Sequence, residues 1–406
     1  MIIHIMAKLF FNIPKLNTRL IVGWETMDNK KYITFTEEGG FLLESGKTLG
    51  PITVAYETYG RLNEERDNAV LILHALTGDS HPARHNKEDK EGWWECFVGP
   101  GKVFDTDKYF IICSNVLGGC QGTTGPSSLD KNTGKPYGSR FPIITIKDMV
   151  KVQKELLKVL DIQHLHFVAG GSMGGFQALQ WAVQYPDFLD GVIHLASPLH
   201  LSAEAIGINH IMRKAIMTDI SFNDGDYYEG QFPEKGLSTA RMLGMITYQT
   251  PEELEGKFNR SIRDEDKDLF SSFNGRFEVE SYLNYQGAKF NNRFDANSYL
   301  YITRAMDLFD LRREYGSYER ALTRINVPYL LVGVDTDRLF YINELRKSCT
   351  TLKANGVEVF YEELNSIYGH DSFLIDEVKF RPIIEEYLKE LSSRKDNKRN
   401  VEVYKK

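Results

Sequence analysis

A serine flanked by glycines lies between a strand pattern and a helix pattern near the middle of the chain. The hexapeptide 170–175 reads GGSMGG, follows the apolar run 165–169 and leads into the apolar stretch 176–182. In a strand–turn–helix of this kind the serine at the apex has a strained backbone, and its hydroxyl projects from the sheet edge. The N-terminus of the following helix points unpaired N–H groups at whatever that hydroxyl attacks. The pattern therefore predicts that Ser172 is a nucleophile.

The size and charge of the chain limit both its fold and its partners. Its 406 residues suffice for one large α/β domain with an insertion, or for two domains. A net charge of −7 argues against a nucleic acid or an anionic membrane as partner, and no apolar run is long enough to span a bilayer. Residues 1–11 lack a basic leader and a cleavage site, so we interpret them as an extension rather than a signal peptide, with Met27 as an alternative start.

The cysteines indicate a reducing compartment. The chain has four of them, with no CxxC pair and no cysteine–histidine spacing of a zinc site. Structural disulfides and a bound metal are therefore not expected. We interpret the protein as a cytoplasmic enzyme with reduced thiols.

Short β-branched and apolar runs alternate with helical patterns over most of the chain. Residues 148–160, for example, have apolar side chains at helical spacing just before one of these runs. Strands that alternate with helices indicate a mostly parallel sheet covered by helices on both faces. The predicted strands are 52–59, 70–74, 109–114, 166–170, 192–196, 329–334 and 357–361.

The alternation stops after about residue 198 and resumes near residue 326. The intervening stretch has helical patterns and many aromatic residues, which predicts an inserted helical cap over the carboxyl edge of the sheet, where ligands bind in open α/β folds. The predicted divisions are a poorly ordered N-terminal extension (1–35), a first part of the core (36–200), the helical cap (201–319), a second part of the core (320–391) and a flexible tail (392–406).

A serine hydroxyl needs a base to take its proton and an acid to orient that base. In this architecture these follow in the order serine, acid, histidine. Asp337 lies just beyond the predicted strand 329–334, and His370 follows the last predicted strand with a glycine before it. Asp335, nearer the strand end, remains an alternative acid, the other aspartate then capping the turn.

An acyl-transfer oxyanion needs two N–H donors. The sequence predicts the backbone N–H of Met173, directly after the nucleophile, and that of Leu76 in the loop after the strand 70–74. His74 in this loop is interpreted as a brace for the loop rather than as the base.

Two other glycine-containing motifs are excluded as nucleotide-binding sites. The glycine-rich residues 118–126 have neither a phosphate-loop ending nor dinucleotide spacing, and Cys120 within them is not expected to be a nucleophile. The tripeptide 46–48 (GKT) lacks the upstream glycine, because that position is Phe41. Nucleotide hydrolysis is therefore rejected.

Five sequence blocks together resemble the homoserine O-acetyltransferase family, acyltransferases of methionine biosynthesis with the α/β-hydrolase fold. The blocks occur in order, and the resemblance runs from about residue 41 to residue 388. One departure is that many members have a proline after the acid motif, where this chain has FYI at 340–342. The blocks are 74–81 (HALTGDSH), 118–126 (GGCQGTTGP), 170–175 (GGSMGG), 236–241 (GLSTAR) and 369–374 (GHDSFL).

The resemblance implies that Arg241 and Asp371 bind the amino-acid substrate, with Thr77 and Tyr248 nearby. Charge agrees, because a zwitterionic amino acid needs a cation for its carboxylate and an anion for its ammonium, and arginine offers a bidentate fork. From spacing alone, Arg241 could equally be a surface arginine of the cap, and Asp371 a helix N-cap.

The resemblance further implies that Ser172, Asp337 and His370 move an acetyl group from acetyl-CoA to L-homoserine in two displacements, with no permanently bound cofactor. Four alternatives stay open: a succinyl donor, serine as acceptor, a plain esterase or thioesterase that uses water, and a catalytically silent binding protein of the same fold, which the intact serine, aspartate and histidine set disfavours. The family also implies a homodimer formed through the cap. Tyr227, Tyr228 and Phe232 could serve that interface or fill a core.

Overall fold

The computed structural model describes residues 19–27, 29–37, 39–263, 273 and 277–403, without the side chains of 19–24, 27, 37 and 396–403. The strands are β1 (Arg19–Met27), β2 (Lys30–Glu37), β3 (Phe41–Leu42), β4 (Thr48–Leu49), β5 (Ile52–Tyr59), β6 (Ala69–Leu73), β7 (Val98–Gly99), β8 (Phe104–Asp105), β9 (Phe110–Ser114), β10 (Phe167–Gly171), β11 (Val192–Leu195), β12 (Tyr329–Val334) and β13 (Val359–Leu364). The helices are α1 (Ile146–Val159), α2 (Met173–Gln184), α3 (Ala203–Met217), α4 (Glu234–Tyr248), α5 (Pro251–Phe258), α6 (Glu278–Asn291), α7 (Ala296–Asp307), α8 (Leu311–Tyr315), α9 (Tyr318–Leu322), α10 (Ile342–Ala354), α11 (Ser372–Ile375) and α12 (Glu377–Val403).

A nine-stranded sheet in the order β1-β2-β5-β9-β6-β10-β11-β12-β13 forms the centre of the fold. The six neighbouring strands β9-β6-β10-β11-β12-β13 pair in parallel. The strands β1, β2 and β5 pair antiparallel with their neighbours. The prediction of a mostly parallel sheet is confirmed. In such a sheet the carboxyl ends of the parallel strands meet at one edge.

Strand β6 shows how the sheet separates two cores. All five of its residues are buried. Leu71 and Leu73 join the core that includes α1 and α2, whereas Val70 and Ile72 join the core that includes α12. Alternate residues of a strand point to opposite faces, so a run that is apolar throughout requires cover on both sides. The helices supply that cover.

The segment between β11 and β12, here called the cap, is helical and contains α3 to α9. Helix α4 packs between α3 and α6, and its C-terminal end reaches the turn that contains His370. Tyr227 and Tyr228 lie inside this cap, where their hydroxyls donate to Asp295 over 2.6 and 3.2 Å. These two tyrosines therefore fill the core of the cap, and Phe232 packs edge-on against Tyr227.

The N-terminal part of the structure corrects one prediction. Residues 1–18 lie outside the described residues, but 19–37 form β1 and β2 of the central sheet rather than a poorly ordered extension. Ile33 and Phe35 are buried and alternate with polar, partly exposed residues. An antiparallel strand with one solvated face gives a weaker apolar signal than a buried parallel strand, which is why the sequence did not reveal it.

The C-terminal part differs as well. Helix α12 continues through 392–403, where the sequence predicted a flexible tail. Arg394 forms salt bridges with Glu390 one turn earlier and with Glu358, which precedes β13. Charged side chains therefore support a helix there. Among the described helices, none combines the length and the apolar character that a membrane crossing requires.

Candidate active site

Ser172 occupies a sharp turn between β10 and α2. Its φ is 56° and its ψ −123°, a conformation that L-residues rarely adopt and that marks a strained, functional position. A Cβ on Gly170 would lie 2.6 Å from the backbone of Gly174, and a Cβ on Gly174 would collide with the carbonyl oxygen of Leu73. The flanking glycines therefore allow the strand and helix to approach closely enough to form the turn.

His370 contacts Ser172 although it lies 198 residues later in the sequence. Its Nε2 lies 2.8 Å from the Ser172 Oγ, and both side chains are buried. His370 follows β13 in a short 3-10 turn that begins at Gly369, whose φ is 59°. A Cβ on Gly369 would lie 2.8 Å from the carbonyl oxygen of Tyr248, so glycine lets the turn pack against the cap.

The two candidate acids lie in different surroundings. The Oδ2 of Asp337 is 2.7 Å from His370 Nδ1, and its Oδ1 accepts the N–H groups of Leu339 and Phe340 over 2.8 and 2.9 Å. Asp335 points to the surface, where it accepts the side-chain amide of Asn365. Only the Asp337 carboxylate is in contact with the histidine.

The contacts of His370 determine where its proton resides. Its Nδ1 faces a carboxylate that only accepts, so Nδ1 carries the proton and Nε2 is left to accept the Ser172 hydroxyl. Burial lowers the pKa of His370, but the charge and hydrogen bond of Asp337 outweigh it and leave that pKa above its ordinary value. The rings of Phe340 and Phe373 pack edge-on around the imidazole.

Met173 directly follows the nucleophile in the sequence, and Leu76 lies in the loop after β6. Neither of their backbone N–H groups donates to an acceptor among the described residues. Gln177 of α2 donates to the carbonyl of His74 over 3.0 Å, which ties the helix to the loop after β6. An acyl oxyanion requires two such N–H donors, so these two groups stay the candidates for that role.

His74 braces that loop. Its Nδ1 donates to the carbonyl of Ala75 over 2.7 Å, and its Nε2 accepts the N–H of Val116 over 3.1 Å. Burial lowers the pKa of His74, which keeps the ring neutral. Both ring nitrogens are engaged within loops, so the geometry matches the interpretation of this residue as a brace.

Arg241 of α4 and Asp371, which directly follows His370, form no ion pair with any described residue. Among the described residues, no carboxylate pairs with Arg241, whose guanidinium lies 5.2 Å from the Phe290 ring centre. Asp371 stands at the start of α11 but makes no side-chain capping hydrogen bond. Burial raises the pKa of Asp371, although the charges of His370 and Arg241 oppose that shift.

The other two residues of this group are placed differently. The Tyr248 ring lies 5.8 Å from the His370 ring, centre to centre, and burial raises the pKa of its hydroxyl. Thr77 is half-buried in the loop beside Leu76. Within the described part of the chain, its side chain forms no hydrogen bond that links it to the others.

Sequence reasoning missed residues that hold the site in place. The side chain of Asn115 accepts the N–H groups of Gln121 and Thr123 and so shapes the glycine-rich loop 118–126. Its position directly after β9, at the carboxyl end of a parallel strand, was the available signal. Cys120 in this loop accepts the N–H of Asp295, and burial raises the pKa of its thiol to about 11, which disfavours the reactive thiolate.

Comparisons with known proteins agree with this geometry. A family model described as alpha/beta hydrolase fold matches residues 68–372. Homoserine O-acetyltransferase of Haemophilus influenzae (strain 86-028NP) is 51% identical over 362 residues, covering 89% of this chain and 99% of that protein.

Solved structures give the same result. The crystal structure of homoserine O-acetyltransferase from Bacillus anthracis aligns with a TM-score of 0.82 and 30% identity, covering 88% of this chain and 97% of that one. The crystal structure of esterase E22 aligns with a TM-score of 0.81 and 28% identity, covering 88% and 99%. The predicted α/β-hydrolase fold is confirmed, and the chain belongs to the homoserine O-acetyltransferase family.

Proposed function

We propose that this protein is an acyltransferase that moves the acetyl group of acetyl-CoA to the side-chain hydroxyl of L-homoserine. The observation that carries the proposal is the buried chain of contacts from Asp337 through His370 to Ser172, at 2.7 and 2.8 Å. Family membership supports the choice of donor and acceptor. The product, O-acetyl-L-homoserine, would serve methionine biosynthesis.

The first half-reaction forms an acetyl-serine. His370 Nε2 takes the proton of the Ser172 hydroxyl while Oγ attacks the thioester carbonyl carbon. The oxyanion accepts hydrogen bonds from the N–H groups of Leu76 and Met173. The carbon–sulfur bond then breaks, and the coenzyme A sulfur leaves with the proton from His370. Asp337 stabilises the imidazolium in between.

The second half-reaction transfers the acetyl group. His370 takes the proton of the homoserine hydroxyl as that oxygen attacks the acetyl carbon. The ester bond to Ser172 breaks, and the serine oxygen recovers the proton from His370. Two displacements through one covalent intermediate produce ping-pong kinetics.

We assign the recognition of homoserine to Arg241 and Asp371. Arg241 would bind the α-carboxylate and Asp371 the α-ammonium, with Tyr248 and Thr77 lining the space beside them. The placement of Asp371 next to His370 supports this role, since the acceptor hydroxyl must reach the imidazole. The helical cap would limit the access of water, which competes for the acetyl-serine.

A plain esterase is the second candidate, favoured by the structural likeness to esterase E22. Thiol release from acetyl-CoA, compared with homoserine, serine and no amino acid as acceptor, separates the two. After the first equivalent of thiol, we expect rapid sustained release only with homoserine, and slower release when succinyl-CoA replaces acetyl-CoA. An equal rate with no acceptor would support the esterase and contradict the transferase.

Assembly and location are further parts of the proposal. Several apolar side chains of the cap are exposed and would suit a homodimer interface: Ile206, Ile211, Met217 and Ile220. Light scattering on the native chain and on Ile211→Glu tests this, because a dimer through this face should dissociate in the variant. The four free cysteines support a cytoplasmic location.

A further inference from the structure

A second buried cluster of ionisable groups lies outside the serine–histidine–aspartate site. Glu57 of β5 is only 1% exposed. Its Oε2 accepts from the Tyr59 hydroxyl at 2.8 Å, from His81 Nδ1 at 2.7 Å and from His85 Nε2 at 3.0 Å. Its Oε1 accepts from the Ser80 hydroxyl at 3.3 Å. Four donors around one carboxylate indicate a fixed negative charge.

The contacts of His81 indicate that its ring is an imidazolium. Its Nδ1 faces the Glu57 carboxylate, and its Nε2 lies 2.8 Å from the carbonyl oxygen of Lys90. Both neighbours only accept, and a neutral imidazole has one N–H, so two donations require two protons. The hydrogen bond with Glu57 raises the pKa of His81 to about 9. Burial alone would raise the pKa of Glu57, but its histidine partners lower it to about 2.

The cluster is connected to the loop that carries Leu76. His81 ends the loop 74–81, and its own N–H donates to Asp79 Oδ1 over 2.9 Å. The other oxygen of Asp79 pairs with Arg293 of the cap at 3.1 Å. A shift of His81 would therefore move Asp79 and the loop behind it.

The segment after His81 leads to the catalytic histidine. Trp93 Nε1 donates to the carbonyl of Asp79 over 3.0 Å. Trp94 Nε1 donates to the carbonyl of Phe373 over 2.8 Å, and the Phe373 ring packs against His370. The segment that follows His81 thus contacts the loop that carries Leu76 through Trp93. Through Trp94 it also contacts the turn that carries His370.

We propose that His81, held as an imidazolium between Glu57 and the Lys90 carbonyl, is a positioning residue that keeps the loop 74–81 in place for oxyanion stabilisation. The inference rests on the proposed role of the Leu76 N–H. A divalent metal ion on Glu57, His81 and His85 is the competing interpretation, because their ligand atoms lie within 4.8 Å of one another. The three hydrogen bonds already made to Glu57 Oε2 favour the imidazolium.

The charge state of His81 depends on the groups that surround it. Strand β5 contributes Glu57 and Tyr59, and β9 contributes Cys113, whose thiol pKa burial raises. The segment of His81 itself contributes Asp79, His85 and Asp89, the last with an oxygen 3.9 Å from Nε2. Glu57 is the only buried carboxylate of this group, so its removal should lower the pKa of His81 most.

Two variants and a control test the proposal on the full-length enzyme. In Glu57→Gln, His81 loses its anionic partner, so we expect its pKa to fall toward the ordinary histidine value of about 6.5, with the ring neutral near pH 8 and mostly protonated near pH 6. In His81→Asn, the titrating ring is absent and the shorter side chain no longer reaches Lys90. The control is His164→Asn, which removes a histidine paired with Asp190 at 3.0 Å, outside this cluster.

The measured quantities are kcat and KM for both substrates at the two pH values, each relative to the unaltered enzyme. We expect Glu57→Gln to lower kcat about 10-fold to 100-fold near pH 8, the cost of a slightly misplaced donor, with little change in KM. Its deficit should shrink near pH 6, whereas that of His81→Asn should be equal at both pH values. The control should match the unaltered enzyme.

Two results would contradict the role proposed for His81. A deficit of Glu57→Gln that is the same at both pH values, or no deficit, would overturn the proposal. So would one divalent metal ion per chain, found by elemental analysis, whose removal by a chelator abolishes activity. If His81→Asn fails to fold by circular dichroism, the pH contrast of Glu57→Gln decides alone. An active Ser172→Ala would instead refute the proposed function itself.

Discussion

Asp337 contacts His370 through one carboxylate oxygen and its own turn through the other. Its Oδ2 lies 2.7 Å from His370 Nδ1, while its Oδ1 accepts hydrogen bonds from the N–H groups of Leu339 and Phe340. The turn after β12 therefore fixes which oxygen faces the imidazole, and the imidazole in turn presents a lone pair to Ser172.

Replacement of Asp337 by asparagine should reverse this arrangement. The two backbone N–H groups would keep the amide oxygen, so the amide NH₂ would face His370 and force the ring proton onto Nε2. Since Nε2 could then no longer accept the serine proton, kcat should fall about 10⁴-fold, as for a triad in the wrong tautomer. Thiol release from acetyl-CoA measures this. Asp335→Asn is the matched control and should retain nearly full activity; the opposite ranking would assign the acid to Asp335.

The pH dependence of acetylation should report His370. The imidazole must be neutral to take the serine proton, so activity is lost as the pH falls through its pKa. Because Asp337 raises that pKa above 6.5, the acid limb of kcat/KM should have its midpoint above pH 6.5. In Asp337→Asn burial dominates, and the midpoint of the residual activity should move below this value. A midpoint that the substitution does not shift would show that the limb belongs to another group.

Substitutions of Arg241 and Asp371 should affect the acceptor step only. Arg241→Lys keeps the cation but loses the bidentate fork, and Asp371→Asn loses the anion. Each charged hydrogen bond contributes about 1.5–3 kcal/mol, so kcat/KM for homoserine should fall about 10-fold to 150-fold. The first burst of coenzyme A, measured by stopped-flow without homoserine, should keep its rate. An equal loss in the burst would place these residues in the acetylation step instead.

The glycine at the start of α2 provides a test of the turn. A Cβ on Gly174 would collide with the carbonyl oxygen of Leu73, so Gly174→Ala should destabilise the fold by about 1–3 kcal/mol and misplace Ser172. Gly256→Ala is the control, because its Cβ would meet nothing within 4 Å in α5, and it should gain about 0.5–1 kcal/mol. Urea unfolding measures both. If Gly174→Ala is as stable and active as Gly256→Ala, close approach is not what the turn requires.

The sequence predicted the parallel strands well, because a buried strand such as 329–334 is apolar throughout and Pro328 directly precedes it. It missed β1 and β2, in which the apolar residues Ile33 and Phe35 alternate with polar ones and the pattern is weak. It also missed the helix over 392–403, where charged pairs such as Glu390 with Arg394 replace an apolar stripe.

The site shows the same division between local and distant information. Ser172 is predictable because the constraint on it is local, a turn flanked by glycines. The choice between Asp335 and Asp337 depends on where His370 lies, 33 residues beyond Asp337, and spacing alone does not give that. The cluster around Glu57 has no local signature either, since β5 and the loop after β6 meet only in the folded chain.

The most direct test of the account is the mass of the protein after brief incubation with acetyl-CoA in the absence of an acceptor. We predict a gain of one acetyl group, located on Ser172 by peptide mapping, which is lost on addition of homoserine as O-acetylhomoserine appears. Ser172→Ala should gain none. An unmodified protein that still forms product, or an acetyl group on any other residue that turns over as fast as product forms, would contradict the account.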